Sequence, residues 1–272
     1  MTANKAYAII AGVGAGTGAS VARKFAQTYP VALLARNPAN YTSLVSEIND
    51  SGGKAIGIPA DVTSGEGLRK AVEEVKKEFP EGDLAAAVYN VGGAFIRKPF
   101  LEMGEVEFRA GYEANGIGAF HFSQSMLPLL LESTHLKHPA TLIFTGATAS
   151  LRGSAQSSSF ATGKFALRAL AQSLAREFGP KRVHVAHLIV DGGIDGLRVR
   201  EFSGIKGEDV GDRFISPEGV SYTLLLYDPT FLVDEWLTHV MGQIADAYWH
   251  LHTQPASAFT FELDIRPYAE RW

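Results

Sequence analysis

The sequence predicts an α/β protein: a doubly wound parallel sheet of seven strands with helices on both faces, three layers deep, in a single domain spanning residues 1–272. Two observations carry this expectation. Compact apolar runs of strand length alternate with longer stretches of helical spacing, and those runs are apolar on both faces, as strands are when helices cover a sheet from each side.

The first run, Tyr7–Ala11, leads through a glycine-rich turn into a helical stretch over Ala19–Tyr29. Val31–Ala35 is the second strand, followed by a helix over Tyr41–Asp50. Ser51-Gly52-Gly53 ends that helix with glycine where a left-handed C-cap is needed. Ala55–Ile58 is the third strand, and Asp61-Val62-Thr63-Ser64 offers an N-cap for a helix over Gly65–Phe79. Leu84–Asn90 and Thr141–Thr145 follow as strands four and five, separated by one long helix over Glu105–Leu131. A helix over Ser158–Phe178 places Leu167, Leu170, Leu174 and Phe178 on one stripe that covers the sheet, and Val183–Val190 is the sixth strand. A final helix over Gln243–His252 and a strand over Phe259–Leu263 complete the pattern.

About 50 residues separate the sixth strand from that final helix, a length that is usually functional in a compact domain. Leu197–Val240 holds Arg198, Arg200, Arg213, Pro217, Pro229 and Trp236, with a short helix expected at Pro217–Leu226. The stretch 197–240 is expected to form a substrate lid over the carboxyl ends of the strands; a surface excursion or an oligomer contact is the alternative.

Composition narrows the function classes. The chain of 272 residues is 46% hydrophobic and 20% charged, which excludes global disorder. It has no cysteine, which excludes a disulfide framework, a thiolate metal site and a thiol nucleophile. The net charge of −4 leaves no basic footprint for nucleic acid. Met1–Ala8 does not read as a signal peptide, and the longest apolar stretches fall far short of the ~20 residues of a spanning helix. A cytoplasmic protein with a small-molecule substrate, and neither a nucleic-acid nor a membrane partner, is the expectation.

The turn after the first strand reads Gly12-Val13-Gly14-Ala15-Gly16-Thr17-Gly18 and opens directly into a helix. Glycine permits the positive φ and close approach that a phosphate needs, and the helix N-terminus supplies free N–H donors with a favourable dipole. A G-x-G-x-x-G match alone is weak, but its place between strand one and helix one favours a nucleotide site over the alternative of a plain tight turn. The second strand ends Leu34-Ala35-Arg36-Asn37 without a carboxylate. An acidic residue there would read a free ribose 2′-hydroxyl, whereas Arg36 suits a 2′-phosphate, so NADP(H) is favoured over NAD(H). A solvated strand-end charge is the alternative role for Arg36.

These features resemble the short-chain dehydrogenases/reductases over essentially the whole chain. Gly12, Gly16 and Gly18 fall on the glycines of that family's first turn, with Ala11 in place of its threonine. Asp61-Val62 resembles the pair bordering the adenine, Asn90-Val91-Gly92 its N-A-G segment, and Asn115 its helix asparagine. Phe160-Ala161-Thr162-Gly163-Lys164 stands where the family has Y-x-x-x-K, and Asp191-Gly192-Gly193-Ile194 where it has P-G-x-I. The resemblance implies a cofactor site of Gly12, Gly14, Gly16, Thr17, Gly18, Arg36, Asp61, Val62, Asn90, Gly92, Lys164, Gly192 and Ile194, with Lys164 and Asn115 also serving catalysis.

The departures fall on the chemistry. In the family the lysine holds the nicotinamide ribose and lowers the tyrosine pKa, the tyrosine moves the proton, and a serine steadies the substrate oxygen. Here the tyrosine position is Phe160 and the serine position is Ala147, and neither can move a proton. Thr148, Asp191, Thr145 and Ser159 are the substitutes within reach in sequence, although Thr and Ser side chains commonly bond local backbone and Asp191 can cap a turn. Three readings follow: a hydride-transfer enzyme with substitute chemistry or a substrate, such as an iminium, that needs no acid; a non-redox isomerase or cyclase; or a catalytically silent NADP(H)-binding protein.

No histidine pair has metal-ligand spacing with a third ligand, so no metal site is expected. His184 and His187 are three apart on one strand and hence on opposite faces, and His239, in the expected lid, is the histidine singled out for testing. The helices over 105–131 and 158–178 pair across a dimer in the resembled family, which implies a homodimer or tetramer.

Overall fold

The computed structural model describes residues 6–93, 95–191, 193–194, 214–215 and 233–266, with side chains omitted at 193–194, 214–215 and 233–242. Its main sheet is built from β1 (Ala6–Ala11), β2 (Val31–Ala35), β3 (Ala55–Pro59), β4 (Asp83–Tyr89), β5 (Ala140–Ala147), β6 (Val183–Val190) and a C-terminal strand (Glu262–Ile265). Two short strands, β7 (Gly193–Ile194) and β8 (Phe214–Ile215), pair with each other, so the C-terminal strand is β9. The seven-stranded order is β3-β2-β1-β4-β5-β6-β9, every pairing parallel. The chain leaves β1 in one direction and resumes at β4 in the other. Their carboxyl ends therefore flank the switch point at which ligands bind in such sheets.

Helices α1 (Thr17–Ala26), α2 (Thr42–Asp50) and α7 (Val233–Thr253) cover one face. Helices α3 (Gly65–Glu78), α4 (Glu105–Tyr112), α5 (Gly118–Glu132) and α6 (Ser158–Phe178) lie on the other. β1, β2 and β6 are buried along their whole length, because alternate residues enter two different cores. Leu167 is fully buried on the α6 side, with Leu170, Leu174 and Phe178 packed beside it, as the spacing predicted. The local signals hold as well. Gly52 adopts φ +85° after α2, and Ser64 Oγ accepts the Gly67 N–H at 3.0 Å at the start of α3.

Three elements differ from the expectation. The single helix over 105–131 is interrupted by a π-helical turn at Glu113–Ile117, where the Asn115 side chain enters the helix's own ladder: its Nδ2 donates to the Gly111 carbonyl at 3.0 Å. The last helix begins at 233 rather than 243, so 233–240 of the expected lid, His239 and Trp236 included, is helical backbone. The last strand lies at Glu262–Ile265 rather than Phe259–Leu263, held by His187↔Glu262 to Val190↔Ile265 pairing along β6. The rest of the expected lid, apart from Phe214 and Ile215, lies outside the described residues, as do the helix expected at Pro217–Leu226 and Gly192.

Candidate active site

The carboxyl ends of β1, β4, β5 and β6 gather most of the expected site. The nucleotide turn leaves β1 with Gly12 at φ +82°. A Cβ there would lie 2.6 Å from the Asn90 carbonyl, so position 12 admits glycine on two separate grounds. A Cβ at Gly18 would lie 2.7 Å from the Gly12 carbonyl oxygen, which is how the first turn of α1 closes on the strand end. By contrast, Gly14 faces open space, and the N-cap residue Gly16 supplies no side-chain acceptor for the first N–H groups of α1. The Ala19 N–H bonds back to the Gly14 and Gly16 carbonyls at 3.2 and 3.0 Å, which joins the turn to the start of the helix, the end of a helix at which its dipole favours an anion.

Arg36 is exposed just beyond β2, near Asp61 beyond β3. Partial burial pushes the Asp61 carboxyl up, but the Thr63 hydroxyl and N–H, together with the Arg36 charge, outweigh it and hold it below its usual range. Val62 is buried against Gly118 at the head of α5, where a Cβ would also strike the Tyr89 hydroxyl. That hydroxyl donates to the Ala114 carbonyl, one of the groups the π turn displaces.

Lys164 lies on α6 with 3% of its surface exposed, and its Nζ donates to the Thr145 carbonyl at 2.8 Å. Burial pushes its amine down to about 7, since a charged ammonium loses hydration that one carbonyl does not replace. Asn115 is fully buried near it. Its Nδ2 donates to the Gly111 carbonyl and, at 3.4 Å, to the Gly92 carbonyl, while its Oδ1 has no partner among the described residues. Helices α4 and α6 meet backbone to backbone here: a Cβ on Gly163 would overlap the Gly111 carbonyl, and one on Gly111 would overlap the Ser159 carbonyl. Two glycines thus bring Lys164 beside Asn115.

At the serine and tyrosine positions the structure places Ala147, the last residue of β5, and Phe160, in the first turn of α6. The Phe160 ring meets Phe95 edge-on at 5.2 Å, and the Lys164 ammonium lies 5.8 Å from its centroid. Thr148 donates its hydroxyl proton to Asp191 Oδ1, and Arg266 approaches Asp191 Oδ2 at 3.3 Å. Asp191 and Thr148 are therefore neighbours at the ends of β6 and β5. Ser159 is buried and bonded to the backbone at Glu107, Phe108 and Gly111, which leaves it a helix-packing role. The Ile194 backbone lies in β7.

The histidines divide as their strand spacing required. His184 stacks on Phe259 at 4.3 Å, and its Nε2 lies 2.9 Å from the Thr260 carbonyl. His187 points the other way, its Nδ1 3.1 Å from Glu262, a carboxylate clamped by Arg168 through two contacts of 2.7 Å. Burial pushes the His187 imidazole down to about 4, so the ring is neutral and donates from Nδ1. His252 bridges Tyr29 and Thr141 at 3.0 Å each, and burial pushes it down to about 3. His121 packs against Gly65. Among the described residues no cluster of His, Asp and Glu could hold a metal ion, and no helix is long and apolar enough to cross a membrane.

Sequence reasoning missed Tyr248 and Arg266. Tyr248, on α7, is fully buried with its hydroxyl 2.6 Å from Thr145 Oγ1. No periodicity signals such a contact, because α7 lies about a hundred residues downstream of β5 and is placed by its packing on α1.

These residues fit a dinucleotide: a glycine turn where a Cβ would clash, opening into a helix N-terminus, with a buried lysine on α6 and an orphaned amide oxygen beside it. The short chain dehydrogenase family model matches residues 6–196, and the chain belongs to that family. A short-chain dehydrogenase from Rhodopseudomonas palustris is 31% identical and superposes with a TM-score of 0.70, covering 96% of this chain and 99% of that one. The 7alpha-hydroxysteroid dehydrogenase of Escherichia coli (strain K12) is 31% identical over 182 residues, 65% of this chain and 67% of that protein. The L-2,3-butanediol dehydrogenase of Corynebacterium glutamicum is 27% identical over 253 residues, 87% of this chain and 95% of that protein.

Proposed function

We propose that the chain is an NADP(H)-dependent oxidoreductase that transfers a hydride to or from a small organic substrate with an incomplete set of proton-moving side chains. The observation that supports the nucleotide half is the continuous row formed by the Gly12 turn, Asn90 and Lys164 across the carboxyl ends of β1, β4 and β5. When bound, the reduced nicotinamide supplies a hydride to a substrate carbon. By the resemblance, Lys164 and Asn115 would hold the ribose end, Asp61 and Val62 would border the base, Gly92 would lie on the nicotinamide side, and Gly14, Gly16, Thr17 and Gly18 would serve the pyrophosphate; Gly192 and Ile194 keep the nicotinamide-side role that the resemblance implies. Arg36, with no carboxylate at the end of β2, favours a 2′-phosphate.

Thr148 and Asp191, bonded to each other at the ends of β5 and β6, are the proposed substitute pair: in oxidation the Thr148 hydroxyl would take the substrate proton as it passes its own to Asp191, and in reduction a protonated Asp191 would return that proton through Thr148. The commitment of the Thr148 proton to Asp191 equally favours a second reading, a nucleotide-binding protein without carbonyl chemistry. Purified protein should enhance NADPH fluorescence on binding, and Arg36→Asp should shift preference toward NADH by about tenfold or more, the loss of a charge-assisted phosphate contact. Equal affinity for both nucleotides before and after the substitution would remove Arg36 from the site.

We also propose that the chain forms a homodimer or tetramer through α4, α5 and α6. Val106, Tyr112, Phe120 and Phe165 expose 82%, 44%, 43% and 43% of their surfaces there. Sedimentation equilibrium should give a mass at least twice the 29.3 kDa of the chain; a monomer would refute the assignment.

A further inference from the structure

A chain of hydrogen bonds runs from the core beneath α7 across the strand ends to the nucleotide turn. Tyr248 Oη lies 2.6 Å from Thr145 Oγ1, Thr145 Oγ1 lies 3.1 Å from Asn90 Oδ1, and Asn90 Nδ2 lies 3.1 Å from the Gly12 carbonyl oxygen. The direction of every bond is forced. The Gly12 carbonyl can only accept, so the Asn90 amide presents its NH₂ to it and its oxygen to Thr145. That oxygen can only accept, so Thr145 spends its single hydroxyl proton on it. Tyr248 must therefore donate to Thr145, and burial supports this by raising its phenol pKa and keeping the proton in place.

Both ends of the chain are anchored. Tyr248 is fully buried between α7 and the sheet, in the core that α7 shares with α1. At the other end the Gly12 carbonyl oxygen is wedged against Gly18, where a Cβ would come within 2.7 Å of it. The same Thr145 also offers its backbone carbonyl to Lys164 Nζ at 2.8 Å, so one residue fixes the turn on one side of the sheet and the lysine on the other.

We propose that Tyr248 is a positioning residue of the nucleotide site, the terminal donor of a one-way chain Tyr248, Thr145, Asn90, Gly12 that holds the turn beneath the pyrophosphate. The role rests on the reading of this turn as a dinucleotide site. It makes the C-terminal helix part of that site although no residue of α7 belongs to the glycine motif. Loss of the phenol hydroxyl leaves the Thr145 hydroxyl free to turn away from Asn90, and the amide that donates to the Gly12 carbonyl is then held less firmly.

Two measurements on the full chain test this. In the nucleotide-free protein, Tyr248→Phe should speed amide hydrogen exchange across residues 12–18 while exchange in β2 and β3 stays as it was; unchanged exchange in the turn would overturn the proposal whatever the protein binds. By calorimetric titration, Tyr248→Phe should weaken NADPH binding about three- to tenfold, the effect of one buried neutral hydrogen bond. Thr145→Val should weaken it at least as much, Thr145→Ser should restore it, and Tyr248→Phe combined with Thr145→Val should bind no more weakly than Thr145→Val alone. Independent, multiplying losses would show that the two hydroxyls do not act through one chain. If the unsubstituted protein binds no NADPH, the nucleotide reading falls by that result, separately from the exchange experiment.

Discussion

A chain carrying Ala147→Ser and Phe160→Tyr together is expected to reduce simple ketones with NADPH at least ~10²-fold faster than the unsubstituted chain, since a positioned general acid contributes ~10²–10⁴-fold. The remainder of the proposed machinery stands ready for it. Lys164 already lies 5.8 Å from the ring that would carry the hydroxyl, and burial already holds its amine near 7. Ala147 ends β5 with its N–H donated to Ser150 Oγ at 3.2 Å, so a serine side chain there stands on a backbone that is tied down. A donor at that position is worth perhaps ~3 kcal/mol toward a developing oxyanion. The two act on one oxygen, so either single substitution should recover far less than the pair. The measurement is the fall of NADPH absorbance against a panel of ketones. If the double variant is no faster than the parent, something other than positions 147 and 160 limits carbonyl reduction.

Lys164→Met should stabilise the nucleotide-free protein below about pH 7 by ~2 kcal/mol. The folded chain holds the Lys164 amine near 7, against 10.5 when exposed, so between those values the unfolded chain binds the extra proton and stability rises with pH. Below pH 7 both states carry the proton and the full cost of burying it remains, with a ceiling of ~5 kcal/mol at ~1.4 kcal/mol per pH unit. Loss of the charged hydrogen bond to the Thr145 carbonyl takes back ~1.5–3 kcal/mol. The gain should vanish by about pH 10, where a neutral amine occupies the site without penalty. Chemical denaturation at pH 6 and pH 10 reads both halves. A variant less stable than the parent at pH 6 would show that the lysine is not held at a cost. The same substitution should weaken NADPH binding, a case of stability given up to hold a functional cation.

The glycine turn was legible because it is a local requirement, a positive φ and a close backbone approach, whereas Asn90, Asn115, Lys164 and the departures at 147 and 160 were legible only through the resemblance to the family's motifs. The π turn at Glu113–Ile117 was not. It depends on one side chain entering its own helix's ladder beside a second helix, and the apolar period runs through it without a break.

By itself, then, the sequence determined the parallel α/β architecture, because strand-length apolar runs alternating with helical spacing are a near-neighbour property, while the family resemblance supplied the expected nucleotide turn and marked positions 147 and 160 as departures from its pattern. Tertiary structure alone decided which distant side chains complete the site. Tyr248 reaches Thr145 because α7 packs beside α1 on one face, and Arg266 reaches Asp191 and Glu262 reaches His187 because β9 pairs with β6 at the sheet edge. Contacts between residues 75 to 103 positions apart are set by how the covered sheet closes. No local pattern of residues encodes that closure.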